Sequence, residues 1–169
     1  LNKIYNNWIK IEALLSRLVL WNKFESGEAT LHPSNFDLYV LALEVKTSLE
    51  EKYPQREIVL EGTTYLVDAD RTLLEVVLKN LIENALKYSK DEVTVKIDSK
   101  QISVIDKGAG IPSSDIGKVT KKFYRSGRHS WDNSMGLGLS IVKSILALHG
   151  TELDIESEEQ RGSVFSFHI

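Results

Sequence analysis

Apolar residues recur through the first turns of the chain at alternating spacings of three and four: Leu1, Ile4, Trp8, Ile11, Leu15 and Leu18. This is the spacing of a heptad seam, and Lys3, Asn6, Asn7, Lys10, Glu12 and Arg17 fall off it. Leu14 and Trp21 widen the stripe toward a bundle face. The helix is therefore expected to lay this edge on another helix, with packing against its own domain as the plainer alternative. It is predicted to stop at Ser26-Gly27-Glu28, and His32-Pro33-Ser34-Asn35 reads as a loop.

A second, less clean helical pattern runs from Phe36 to Leu49, with Ser34 or Asn35 as candidate caps. Glu57 to Leu60 and Thr63 to Val67 read as strands joined through Glu61-Gly62 as a hairpin. Asp70 to Ser89 carries the strongest helical pattern. Val93, Val95 and Ile97 alternate, as do Ile102 and Val104, and Asp98-Ser99-Lys100 supplies a hairpin turn between them. Helix returns from Leu137 to His149 with Gly150 at the C-terminal cap, and strands at Glu152 to Glu156 and Ser163 to Ile169 follow. Strand pairs between helices predict a mixed sheet with helices on one face.

Composition narrows this picture without naming a function. The chain has 169 residues, 42% hydrophobic and 27% charged, which excludes long disorder and suits one domain plus a short appendage. Its net charge of -3 provides no chain-wide field for nucleic acid. Cysteine is absent, which removes disulfides, thiol nucleophiles and cysteine-ligated metals. No apolar run reaches the roughly 20 residues of a membrane span. The chain starts at Leu1 and reads as a piece of something longer.

Three segments carry candidate chemistry. On the helix from Asp70 to Ser89, the residues Leu74, Val77, Leu78, Leu81 and Ala85 fill one face, and Asn80, Asn84, Lys87 and Tyr88 cluster on another. Each asparagine costs a helix up to about 0.7 kcal/mol relative to alanine, so propensity does not explain them. A carboxamide oxygen suits a hard cation and its amide suits phosphate, whereas the plain alternative is a solvated polar face. In the second segment, a strand runs into Asp106-Lys107-Gly108-Ala109-Gly110-Ile111, where a carboxylate at a strand end is placed to accept from an exocyclic amine. In the third, Gly136-Leu137-Gly138-Leu139 opens a helix whose first amides form a phosphate cradle; the spacing matches neither a Rossmann nor a P-loop motif. Between the last two segments, residues 115–129 hold Lys118, Lys121, Lys122, Arg125 and Arg128 against Asp115 alone, a local +4 that suits a mobile lid over polyphosphate.

Taken in order, these motifs resemble the catalytic ATP-binding domain of bacterial sensor histidine kinases, in the GHKL superfamily that also holds gyrase, Hsp90 and MutL. Leu78 to Ser89 looks like its N box, Asp106 to Ile111 the G1 box, Lys122-Phe123-Tyr124-Arg125 the F box and Gly136 to Leu139 the G2 box. The resemblance spans about Phe36 to Ile169. It implies a two-layer α/β sandwich, a mixed sheet backed by helices in the Bergerat manner, preceded by a bundle helix. It also implies residues 1–30 as the end of the second dimerisation helix with its linker, and 31–169 as the catalytic domain.

On the same resemblance Asn84 ligates Mg²⁺, Asn80 lines the metal and phosphate site, and Lys87 and Tyr88 meet phosphate and the sugar or base. Asp106 accepts from the adenine amine, and Gly108, Gly110 and Ile111 shape the base pocket. Gly136, Leu137, Gly138 and Leu139 contact phosphate, Arg125 reaches the γ-phosphate, and Ser163 closes the site from the terminal box. Asn80, Lys87 and Arg125 are the implied catalytic set. Hydrolytic relatives carry a glutamate at the place of Asn80, so asparagine favours transfer to a protein nucleophile. Two departures stand out: Thr120 occupies the place of a second phenylalanine, and the terminal box reads Gln160-Arg161-Gly162-Ser163 where an earlier glycine and a threonine are usual.

None of the four histidines, His32, His129, His149 and His168, has the setting of a phosphoacceptor. The implied function is an ATP-dependent kinase module, cytoplasmic and belonging to a membrane-anchored sensor, that phosphorylates a histidine upstream of this chain and signals to a response regulator. The full-length protein is expected to be a homodimer, with no nucleic-acid partner. The alternatives are a hydrolytic or serine-directed relative and a non-catalytic nucleotide-sensing scaffold.

Overall fold

The centre of the sheet is a hairpin that the side-chain alternation predicts. In the computed structural model, which describes residues 1–119 and 138–169, β4 (Val93–Asp98) and β5 (Gln101–Asp106) pair antiparallel through a turn whose central residues, Ser99 and Lys100, both have positive φ. Val93, Val95, Ile97, Ile102 and Val104 are buried on one face, while Lys96 and Asp98 lie exposed on the other. β7 (Gly162–His168) pairs antiparallel with β5 and brings Phe165 and Phe167 to the buried face. β6 (Asp154–Glu158) and β2 (Ile58–Glu61) form the edges, giving the order β2-β4-β5-β7-β6. The pairing of β2 with β4 is parallel, so the sheet is mixed.

Three helices supply the second layer. From α2 (Leu38–Lys52) come Leu38, Leu41, Val45 and Leu49; from α3 (Arg71–Lys87) come Leu74, Val77, Leu78, Leu81 and Ile82; from α4 (Gly138–Leu148) come Ile141, Val142, Ile145 and Leu146. All are buried in one core with the sheet's apolar face. This is the two-layer α/β sandwich implied by the motif order.

The first connection departs from the expected hairpin. Ile58–Glu61 does not turn back on the next strand; that strand, β3 (Leu66–Ala69), pairs antiparallel with β1 (Ser34–Asp37) in a separate two-stranded sheet. Gly62, at φ +133, lies against the backbone of Ile97 at the end of β4, where a Cβ would come within 2.7 Å of the Ile97 carbonyl. The chain therefore runs past the sheet edge instead of reversing. The second helix is corrected in the same region: Phe36 belongs to β1, and the cap is Asp37, not Ser34 or Asn35. The Asp37 carboxylate accepts from the amides of Tyr39 and Tyr65, each at 3.0 Å, so it caps α2 and anchors β3 together.

The N-terminal helix α1 (Asn2–Glu25) ends at Ser26, as the turn residues predict. Its seam divides in two. Leu1, Ile4, Trp8, Ile11 and Leu15 are exposed, whereas Leu18, Leu20, Trp21 and Phe24 pack on the core of the sandwich. Among the described residues, no helix is long and apolar enough to cross a membrane.

Asp70, 5% exposed, caps α3 by accepting from the Leu73 amide at 3.1 Å, and its second oxygen accepts from the His32 amide at 2.9 Å. Asp70→Ala is expected to lower the stability of the chain by about 2 kcal/mol, the upper range for a lost helix cap, with Asp70→Asn recovering most of it; urea unfolding measures both.

Candidate nucleotide site

Helix α3 ends beside the loop that follows β5, and the join is made through backbone. The Tyr88 carbonyl, at the C-terminal cap of α3, accepts from the Ala109 amide at 3.2 Å. A Cβ on Gly108 would overlap that same carbonyl, and one on Gly110 would overlap the carbonyl of Glu158. The glycines of the DxGxG segment are thus required by close backbone packing before any ligand is considered.

Asp106, the last residue of β5, is 6% exposed. The Gly108 amide donates to its Oδ1 at 2.9 Å, and the Ser163 amide also donates to its carboxylate. Burial pushes the Asp106 carboxyl above the ordinary carboxylate range, and the two amides only partly offset that. On the other side of Asp106, a Cβ at Gly162 would strike the Asp106 carbonyl. The carboxylate is therefore held in a slot made of main chain.

Ser163 pairs with Asp106 across β5 and β7, and its hydroxyl lies 2.7 Å from Ser157 Oγ. Ser157 donates to the Gly162 carbonyl at 3.1 Å and accepts from the Ile111 amide at 2.7 Å. Ser163 and Ile111 are thus joined through Ser157, a residue that no motif singled out. Gln160, in the terminal box, sits at φ +67, and its amide donates to the Ala109 carbonyl.

The asparagines occupy α3 at intermediate burial. Asn80 Nδ2 donates to the Val76 carbonyl one turn back at 2.8 Å, which turns Oδ1 toward the start of α4. A Cβ on Gly138 would stand 3.1 Å from that oxygen. Two motifs nearly sixty residues apart, the asparagine helix and the glycine-led helix start, are therefore in contact. Lys87 is exposed in the last turn of α3, and Leu139 packs on the core at the first turn of α4. Arg125, Gly136 and Leu137, the remainder of the basic segment from Thr120 onward, and His129 lie outside the described residues.

The donor set fits a magnesium nucleotide in kind. It combines neutral carboxamide oxygens, a lysine, a glycine that leaves space beside Asn80, and a buried carboxylate at a strand end. Among the described residues no group of three or more histidine, aspartate or glutamate side chains could hold a metal by itself.

The remaining described histidines lie elsewhere. His149 Nε2 accepts from the Asp70 amide at 3.1 Å, which leaves Nδ1 to carry the proton toward the Ile145 carbonyl at 2.9 Å. Nε2 joins the end of α4 to the start of α3, and Nδ1 is bonded within the end of α4. His32 is exposed beside Thr30, and His168 is exposed at the end of β7. Glu83, next to Asn84, is buried and ion-paired, with Lys52 Nζ at 3.4 Å and an Arg17 nitrogen at 3.8 Å.

Comparison with known proteins places the chain in a family. Residues 69–169 match the family of histidine kinase-, DNA gyrase B- and HSP90-like ATPases, and the chain belongs to that family. The adaptive-response sensory kinase SasA of Prochlorococcus marinus strain MIT 9215 is 33% identical over 92% of this chain and 45% of its own length. The chain thus spans less than half of that relative. The catalytic domain of the histidine kinase ThkA superposes with a TM-score of 0.68 at 29% identity, over 82% of this chain and 95% of that one. The histidine kinase AdeS of Acinetobacter baumannii shares the fold over 99% of this chain and 82% of its own, with a TM-score of 0.80 at 24% identity.

Because Gln160 holds a left-handed backbone that a side chain disfavours, Gln160→Gly is expected to raise stability by up to about 1 kcal/mol while keeping the main-chain bond to Ala109. Chemical denaturation of the two proteins checks it.

Proposed function

We propose that this chain is the ATP-binding catalytic part of a sensor histidine kinase, a cytoplasmic module of a membrane-anchored protein. It would transfer the γ-phosphoryl group of ATP to a histidine outside this chain, for relay to a response regulator. The observation that carries the reading is the contact of Asn80 with the start of α4. A neutral carboxamide stands there where hydrolytic relatives place a glutamate, so Asn80 orients and neutralises but does not activate water. In such a transfer an imidazole nitrogen attacks the γ-phosphorus, the bond to the β-phosphate oxygen breaks, and ADP leaves; positioning and charge neutralisation are what a protein contributes.

In this reading Asn84 holds Mg²⁺, and Asn80, Lys87 and the amides at Gly138 and Leu139 bind the phosphates. Mg²⁺ would neutralise charge on the phosphate oxygens. Asp106 accepts from the adenine amine, with Tyr88, Gly108, Gly110, Ile111 and Ser163 building its surroundings. Arg125, Gly136 and Leu137 complete the phosphate side. Residues 1–30 serve as the end of the dimerisation helix and 31–169 as the catalytic domain, and the exposed residues from Leu1 to Leu15 meet partner helices in a homodimer.

Mixing the chain with a separate acceptor-helix dimer and ATP labelled at the γ-phosphate is expected to label the acceptor histidine alone. Steady phosphate release without an acceptor would instead mark a hydrolytic relative, label on serine a serine-directed kinase, and tight binding without any transfer a sensing scaffold.

Asp106 gives a pH prediction. Its folded pKa lies above the unfolded value, so the stability linked to its proton is fully present below the unfolded pKa and is lost as pH rises through the folded one. Binding runs the other way, because the ionised form is the better acceptor. ATP affinity is expected to fall as pH drops through the raised pKa of Asp106, starting at a higher pH than for an ordinary carboxylate. Asp106→Asn is expected to weaken ATP binding at least about tenfold at neutral pH, to abolish this acid limb, and to leave the thermal midpoint within a few degrees. Calorimetric titration across pH tests all three.

A further inference from the structure

Arg56 lies in the segment between α2 and β2, outside every motif of the nucleotide site. Its guanidinium reaches the far end of α3. Nη1 donates to the Leu86 carbonyl, and Nη2 donates to Ser89 Oγ and to the Asp91 carbonyl, each at 3.0 Å. Ser89 in turn donates to the Ala85 carbonyl at 2.6 Å. Leu86 offers one of the last helix carbonyls, which have no amide partner within the helix, and a cation there sits at the favourable end of the helix dipole. Asp91 lies in the turn leading to β4. A planar fork spreads its N–H donors over two terminal nitrogens in fixed directions and so spans acceptors around a turn, whereas an ammonium gathers its three donors on one atom.

The residues enclosed by this grip include Tyr88. Its carbonyl accepts from Ala109 and is packed against Gly108, whose amide holds Asp106 Oδ1. A continuous path therefore runs from the guanidinium through the turn at 86–91 to the Tyr88 carbonyl, the Gly108 and Ala109 amides and the Asp106 carboxylate.

We propose that Arg56 is a positioning residue for base recognition, fixing the turn after α3 so that the Tyr88 carbonyl sets the orientation of Asp106. This rests on the reading of Asp106 as the acceptor of the adenine amine. It predicts that Arg56 governs discrimination by the base more than affinity for the phosphates.

The test compares Mg²⁺-dependent binding of ATP and inosine triphosphate, which replaces the exocyclic amine by a carbonyl, by calorimetry on the full chain. The unsubstituted protein is expected to prefer ATP. Arg56→Lys and Arg56→Gln are expected to weaken ATP binding by about tenfold while changing inosine triphosphate binding by less than about twofold, so that the preference collapses. Ser89→Ala, which removes one acceptor and leaves the charge in place, is expected to shift the preference in the same direction by about twofold to threefold, and it serves if the Arg56 variants do not fold. A preference lost in Asp106→Asn but retained in the Arg56 and Ser89 variants overturns this inference alone. A preference that none of these changes moves overturns the base-site reading and the inference with it. Equal losses for both nucleotides reduce Arg56 to a brace for the fold.

Discussion

Where α3 meets the end of β5, two pieces of main chain approach with no side chain between them, and the organisation of the site follows from that approach. The Tyr88 carbonyl needs a donor because it ends a helix, and Ala109 provides one. Ala109 reaches it only because Gly108 carries no Cβ to strike the same oxygen. Gly162 makes the matching approach from β7 on the other side of Asp106. The carboxylate between them is held by backbone amides, which set its direction, while its burial raises its pKa and those amides offset the rise only in part. Glycine is thus needed at these positions for assembly, and ligand binding inherits the geometry that assembly creates.

The asparagines depend on the same construction from the other end of α3. Their helix is anchored by Asp70 at its start and by Arg56 beyond its end, so the polar face is fixed along its axis before α4 arrives. His149 joins the end of α4 to the cap of α3, and Gly138 brings the start of α4 against Asn80. Contacts at both ends of α4 hold it beside α3. Glu83 of the same helix as the asparagines, α3, takes the charges of Lys52 and Arg17. A buried ion pair of this kind gains little over its desolvation, so the docking of α1 rests mainly on Leu18, Leu20, Trp21 and Phe24. The exposed remainder of α1, from Leu1 to Leu15, presents its stripe outward.

Membership in a family that includes both kinases and ATPases leaves the reaction to the residues of the site. The chemistry at position 80 bears on that choice more than the fold does, because one fold hosts transfer and hydrolysis alike. A carboxamide already bonded to its own helix has no basic group to offer water.

Much of this was legible in the chain. The β4 and β5 hairpin, α3 and α4 follow from periodicity over neighbouring residues, and the ordered motifs name Asn80, Asn84, Asp106 and Gly138, because those segments fold locally into the shapes that carry them. The failures share a cause. Ile58–Glu61 and Leu66–Ala69 read as a hairpin because they are adjacent, but β2 found a parallel partner in β4 and β3 found β1, and no local pattern encodes which distant edge a short strand will meet. The bonding roles of Asp37, Arg56, Ser157 and His149 escaped notice for the same reason: each satisfies a backbone group far along the chain, between 28 and 79 residues away for Asp37, Arg56 and His149 and 46 away for Ser157. Residue types and short spacings dictate which groups are available to bind a nucleotide. The packing of helix ends against strand ends decides which carbonyls and amides are left needing partners, and so which side chains hold the site in place.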